Sequence, residues 1–136
     1  CQDVCPWNRK APDTTEVAFQ PAGDLTPVSL DWLLSLDEME FQRRFRRTPL
    51  ERPGRSGLLR NAAIVAGNSG DLRFIPVLTD ALRDPQELIR GAAAWALGEL
   101  GHPDSATSLE ERLVVETSQQ VQSEIHTAVA RIRHLP

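Results

Sequence analysis

Apolar positions are sparse over residues 1–28 and become periodic from Ser29 onward. In the first stretch Pro6, Pro12, Pro21, Pro27 and Gly23 break up a mostly polar run. That composition predicts an extended N-terminal linker lying over another surface. After Ser29 the spacing turns helical, with Leu30, Leu33 and Leu34 on one face. Asp37 followed three residues later by Glu40 marks a capped helix start, and Phe41 and Phe45 lie along one side of the helix it opens. Pro49 and Pro53-Gly54 predict its end.

The second half repeats itself. Leu58 to Gly70 and Ile89 to Gly101 align with a shift of 31 residues, so that Ala62-Ala63 meet Ala93-Ala94 while Gly67 and Gly70 meet Gly98 and Gly101. A third, degenerate copy over Val121 to Ile132 keeps the apolar spacing of Val121, Ile125, Val129 and Ile132 but loses the glycines. Partner helices are expected over 71–83 and 104–115, with Asp84-Pro85 as a turn between units. The pattern resembles HEAT-type repeats of the Arg-x-x-Ala-Ala-x-x-Leu-Gly kind. It predicts an all-α fold, a short α-solenoid over 29–136 that follows the linker of 1–28. Alanines allow helices to approach closely, and the glycines are expected to supply the positive φ of tight helix ends. Gly98→Val is expected to destabilise on that ground. Each helix pair leaves an apolar face that the next must cover, so the copies stack and the last acts as a cap.

The bulk numbers change this picture little. A chain of 136 residues with 40% apolar content can build one core, and with only 5% aromatics that core is of Leu, Ala, Val and Ile. No apolar run approaches the ~20 residues that cross a bilayer, and no signal peptide opens the chain. A cytoplasmic monomer is expected. The start at Cys1, with no initiator Met, predicts a fragment or processed piece of a larger protein.

Charge is uneven. Arg43, Arg44, Arg46, Arg47, Arg52, Arg55 and Arg60 face one acid, Glu51, a local balance of +6 in a chain of net charge −4, which leaves −10 for the rest. Such asymmetry suggests an anion-binding face on an acidic body. The guanidinium fork suits phosphate, so the segment is a candidate for RNA backbone contact; a solvated helix face is the plainer alternative. Arg60 also has a reading as a helix-surface or packing residue, like Arg90 in its copy. Replacing Arg44, Arg47, Arg52 and Arg55 by Glu is expected to weaken RNA binding and leave the helical signal intact.

Cys1-x-x-x-Cys5-Pro6 is the other candidate for chemistry. Bacterial ferredoxins end a cluster-binding run in C-x3-C-P, though two thiolates are half of what a [4Fe-4S] cluster needs. His102, His126 and His134 have no metal spacing. Trp95 is expected in the core, and Trp32 in it or half exposed.

Cys1-Gln-Asp-Val-Cys5-Pro6-Trp7-Asn8 resembles the end of the second ferredoxin motif of epoxyqueuosine reductases. Phe45-Arg46, Thr48-Pro49-Leu50, Arg52, Arg55, Gly57 to Ala63 and Gly67 to Asp71 resemble the segment that enters their C-terminal repeats. The resemblance implies a parent that uses two [4Fe-4S] clusters and cobalamin to reduce epoxyqueuosine to queuosine in tRNA. In that parent Cys1 and Cys5 would each ligate a different cluster. It implies partners in the tRNA anticodon stem-loop and in an upstream catalytic domain. The first cluster motif and the earlier cysteines of the second are missing, so this piece alone is expected to catalyse nothing. The parent must also bring a base out of its stack to reach the cofactor, a task in which a rigid basic stack could hold the stem. Two other roles stay open: a protein-interaction scaffold, and a tail that only stabilises the catalytic domain.

Overall fold

The computed structural model describes residues 28–134, together with residues 6, 12 and 15–17. Among them lie seven α-helices and no strand. They are α1 (Leu30–Ser35), α2 (Glu38–Phe45), α3 (Gly54–Ser69), α4 (Ile75–Ala81), α5 (Glu87–Leu100), α6 (Pro103–Val115) and α7 (Gln119–His134). Short 3-10 turns, Pro49–Glu51 and Leu72–Phe74, precede α3 and α4.

Local chemistry explains the boundaries. Ser29 caps α1 through the Trp32 amide, and the Asp37 carboxylate accepts the Glu40 N–H at 2.7 Å to open α2. Pro103 stands in the first turn of α6, where its missing N–H costs nothing. The helix expected over 71–83 is split, because Pro76 belongs in a first turn: a 3-10 turn comes first and α4 starts at Ile75. Pro53-Gly54 does not close α2. That helix already stops where Arg46 turns to extended ψ, and Gly54 begins α3.

The helices form two layers. α3, α5 and α7 pack side by side in chain order, while α1, α4 and α6 make the second layer against them. The core follows the repeat: Leu59, Ala63 and Ala66 from α3, Ile89, Ala93 and Leu97 from α5, and Val121, Ile125 and Val129 from α7, all buried. Phe41 and Phe45 close the N-terminal end beside Trp32, with ring centroids 5.3 Å (Phe41–Phe45) and 6.1 Å (Trp32–Phe45) apart. Trp95 is only half buried, which corrects its expected core placement.

The repeated glycines divide into two kinds. Gly70 and Gly101 end α3 and α5 at φ of 69° and 66°, as expected of helix C-caps. Gly67 and Gly98 are different: they lie inside helices. A Cβ on Gly67 would come within 2.9 Å of Ala96 Cα, and one on Gly98 within 2.8 Å of Ala128 Cα. Gly98 therefore provides room for the neighbouring backbone, not a positive φ. From α5 to α7 the repeat step is 32 residues, which matches Ile89, Ala93 and Ala96 with Val121, Ile125 and Ala128. The position after Leu97 then falls on Ala130, which is exposed, so no glycine is required there.

An acid before each later inner helix ties it to the one before. Asp84 accepts the Gln86 N–H at 2.9 Å and pairs with Arg55 of α3. Glu116, 32 residues on, accepts the Ser118 N–H at 2.9 Å and pairs with Arg90 of α5 at 2.7 Å.

Candidate nucleic-acid interface

The seven arginines fall on α2, on the loop 46–53 and on α3, and the structure gives them different tasks. Arg55 points inward. Its Nε donates to the Leu36 carbonyl at 2.6 Å, and its two terminal nitrogens hold both carboxylate oxygens of Asp84, with about nine-tenths of each side chain buried. A guanidinium so engaged has no fork left for phosphate. Arg44 is half buried, its guanidinium 5.3 Å from the Trp32 ring centroid in a cation–π stack. Arg43 pairs with Glu40 one turn back but remains mostly exposed.

Arg46, Arg47 and Arg52 stand exposed on one short loop, and among the described residues no carboxylate pairs with their guanidinium groups. This loop is built tightly. Thr48 hydrogen-bonds the Phe45 carbonyl through both its N–H, at 3.0 Å, and its hydroxyl, at 2.7 Å. The Glu51 N–H returns to Thr48 O at 3.1 Å. Arg47 has φ of 64°, the left-handed region, and its N–H donates to Glu51 Oε2 at 2.6 Å. Three arginines against one acid, with that acid bonded to backbone, make this the concentrated positive surface of the segment.

Arg60 lies elsewhere. It is exposed on α3, donates to Asn61 at 3.1 Å, and lines a groove of about 330 Å³ across α3, α5 and α7. Ile64, Leu88 and Trp95 give that groove an apolar floor, and Glu87 and Glu124 set acids against Arg60. Arg90, by contrast, is buried on Glu116, so the likeness expected between Arg60 and Arg90 does not hold.

Sequence reasoning missed three residues here. Asp84 reads as a turn former, and nothing local signals its bond to Arg55, 29 residues back. Trp32 gives no sign of stacking on Arg44. Glu51 reads only as a stray negative charge.

Cys1 and Cys5 lie outside the described residues. Among those described, no group of three or more His, Cys, Asp or Glu is placed to hold a metal ion. None of the described helices is long and apolar enough to cross a membrane.

Residues 54–130 match the family model of HEAT repeats, more than half of the chain. This chain belongs to the HEAT-repeat family. Its HEAT repeats are homologous to the C-terminal HEAT-repeat region of epoxyqueuosine reductases. The chain is 30% identical to the epoxyqueuosine reductase of Bacillus subtilis over 134 residues, which is 98% of this chain and 35% of the relative. The Pseudomonas aeruginosa enzyme is 42% identical over 105 residues, 74% of this chain and 28% of the relative. A crystal structure of an epoxyqueuosine reductase with a tRNA-Tyr epoxyqueuosine-modified stem loop superposes with a TM-score of 0.87 at 30% identity, over 98% of this HEAT chain and 36% of that one. The chain thus spans about a third of the length of the relatives it matches.

Proposed function

We propose that this chain is the tRNA-docking region of an epoxyqueuosine reductase, and that its loop of Arg46, Arg47 and Arg52 contacts the phosphate backbone of the anticodon stem-loop. The observation that carries the reading is the exposure of these three arginines on one braced loop. Likeness to a reductase solved with a tRNA stem loop supports it. Arg43 lies one turn before the loop and adds to the same field, while Arg60 reaches RNA only if the strand also enters the acidic groove. Arg44 and Arg55 act by holding the scaffold. Reduction of epoxyqueuosine, with its cobalamin and two [4Fe-4S] clusters, belongs to the whole cytoplasmic enzyme. Cys1 and Cys5 supply two thiolates where a cluster takes four, so the residues present do not hold one and no step is assigned to this chain.

Binding of the chain to an anticodon stem-loop across a salt series tests the reading. Affinity should fall steeply with salt, because each phosphate contact releases counterions. Arg46, Arg47 and Arg52 all changed to Glu should lower affinity by about tenfold or more and flatten the salt slope by roughly two units, with circular dichroism unchanged. Including Arg44 or Arg55 in that set would confuse lost binding with lost folding. The alternative, a protein-docking scaffold, keeps one observation in its favour, the apolar floor of the groove. Salt-independent or absent RNA binding by the folded chain would move the assignment there.

A further inference from the structure

Glu51 is the one acid in the basic segment, and simple electrostatics makes it a liability to any phosphate contact. The geometry points to the opposite role: we infer that Glu51 is a positioning residue that holds the Arg46–Arg52 loop in its RNA-binding shape. This inference rests on the reading of that loop as the phosphate contact. Arg47 is the one described non-glycine residue with positive φ, at 64°. L residues avoid that region, because Cβ crowds the backbone there, and such a conformation persists where surrounding bonds fix it. The bond that fixes it is the Arg47 N–H to Glu51 Oε2, 2.6 Å long and strengthened by the carboxylate charge. Two backbone bonds, Thr48 N–H to Phe45 O at 3.0 Å and Glu51 N–H to Thr48 O at 3.1 Å, bring Glu51 back under Arg47.

The left-handed residue turns the chain at Arg46–Arg47, and so sets the directions in which Arg46 and Arg47 leave the loop. Without the carboxylate, Arg47 relaxes toward an ordinary negative φ and the arginines no longer leave in those directions. Glu51 gives up some favourable charge to the site and gains it an ordered fork.

Two substitutions separate charge from geometry. Glu51→Gln removes the charge and keeps a carbonyl oxygen to accept the Arg47 N–H. Glu51→Ala removes both. Charge alone predicts that the two variants bind an anticodon stem-loop equally, and tighter than the parent chain. Positioning predicts that Glu51→Ala binds about threefold to tenfold weaker than Glu51→Gln, with the log–log salt slope reduced by roughly one phosphate contact. Equal affinities and slopes would overturn the inference. Amide exchange at Arg47 checks the brace without RNA: it should accelerate in Glu51→Ala and stay slow in Glu51→Gln. Unchanged exchange in both variants would show that Glu51 does not hold the loop. Accelerated exchange with no RNA binding by any form, the parent included, would reject the RNA reading while leaving the brace intact.

Discussion

Gly98 sits in the last turn of α5 with Ala128 of α7 pressed against it, and Gly91 sits two turns earlier in the same helix with looser packing beside it. Alanine at Gly91 meets only Val121 Cγ2 at 3.9 Å, an ordinary contact, so it should stabilise the chain by about 0.5–1 kcal/mol through helix propensity. The same change at Gly98 gains that propensity but drives a methyl to 2.8 Å from a backbone carbon, and overpacking of this kind costs roughly 1–3 kcal/mol. Overpacking outweighs propensity, so Gly98→Ala should lower stability and Gly98→Val more so; urea unfolding of the three variants beside the parent checks the opposite signs. Both glycines of the first two copies were visible as a repeat in the sequence, but room and positive φ select the same residue, so the pattern does not tell them apart. Arginines pose the same problem. Arg52 and Arg55 look alike in sequence, yet one is exposed and one is locked to Asp84. Arg55→Ala strands a buried carboxylate and should cost about 3 kcal/mol or more, whereas Arg52→Ala should stay within ~0.5 kcal/mol. Equal denaturation midpoints for the two would contradict the division of tasks.

At the scale of elements, the turn before α7 joins three helices through one carboxylate. Glu116 accepts from Arg90 of α5 and from Arg112 of α6, and from the N–H groups of Thr117 and Ser118 at the start of α7. The hydrogen bonds from Arg90 are the main reason that its pKa lies far below the ordinary 4.5; burial opposes them, while the Ser118 N–H and Arg112 add to them. A carboxylate whose folded pKa is depressed stabilises the fold above its unfolded value, and that contribution is lost as pH falls from there toward the folded value. The chain should therefore lose stability progressively below about pH 4.5. Glu116→Gln should be less stable at neutral pH, by about 2 kcal/mol or more, and show a flatter profile through the acid window. Denaturation curves at stepped pH values give both quantities. Helix positions and caps were legible because each is written within a few residues, as at Asp37 and Glu40. These pairings were not, since Arg90 and Glu116 are 26 residues apart and meet only when the helices stack.

At the scale of the molecule, the stack has nearest-neighbour logic: α5 covers α3 and α7 covers α5. Its existence was readable from the 31-residue shift. The split of the arginines into braced loop, groove and buried pair was not, because it depends on which face each helix turns to its neighbour. Removal of residues 117–136 would take away Ala128, which packs on Gly98, would bare the face of α5 that α7 now covers, and should abolish a single cooperative melt. A retained sharp transition would show that α7 is an accessory. The paired acids carry this further. Solenoids tend to open from their ends, one unit at a time. Here, if α7 detaches and takes its turn along, Arg90 is left in a largely buried site without its counter-ion, and the half-open form is the costly one. Fraying is thus suppressed from within, and a protease that seizes loosened ends would have to wait for the whole stack to let go.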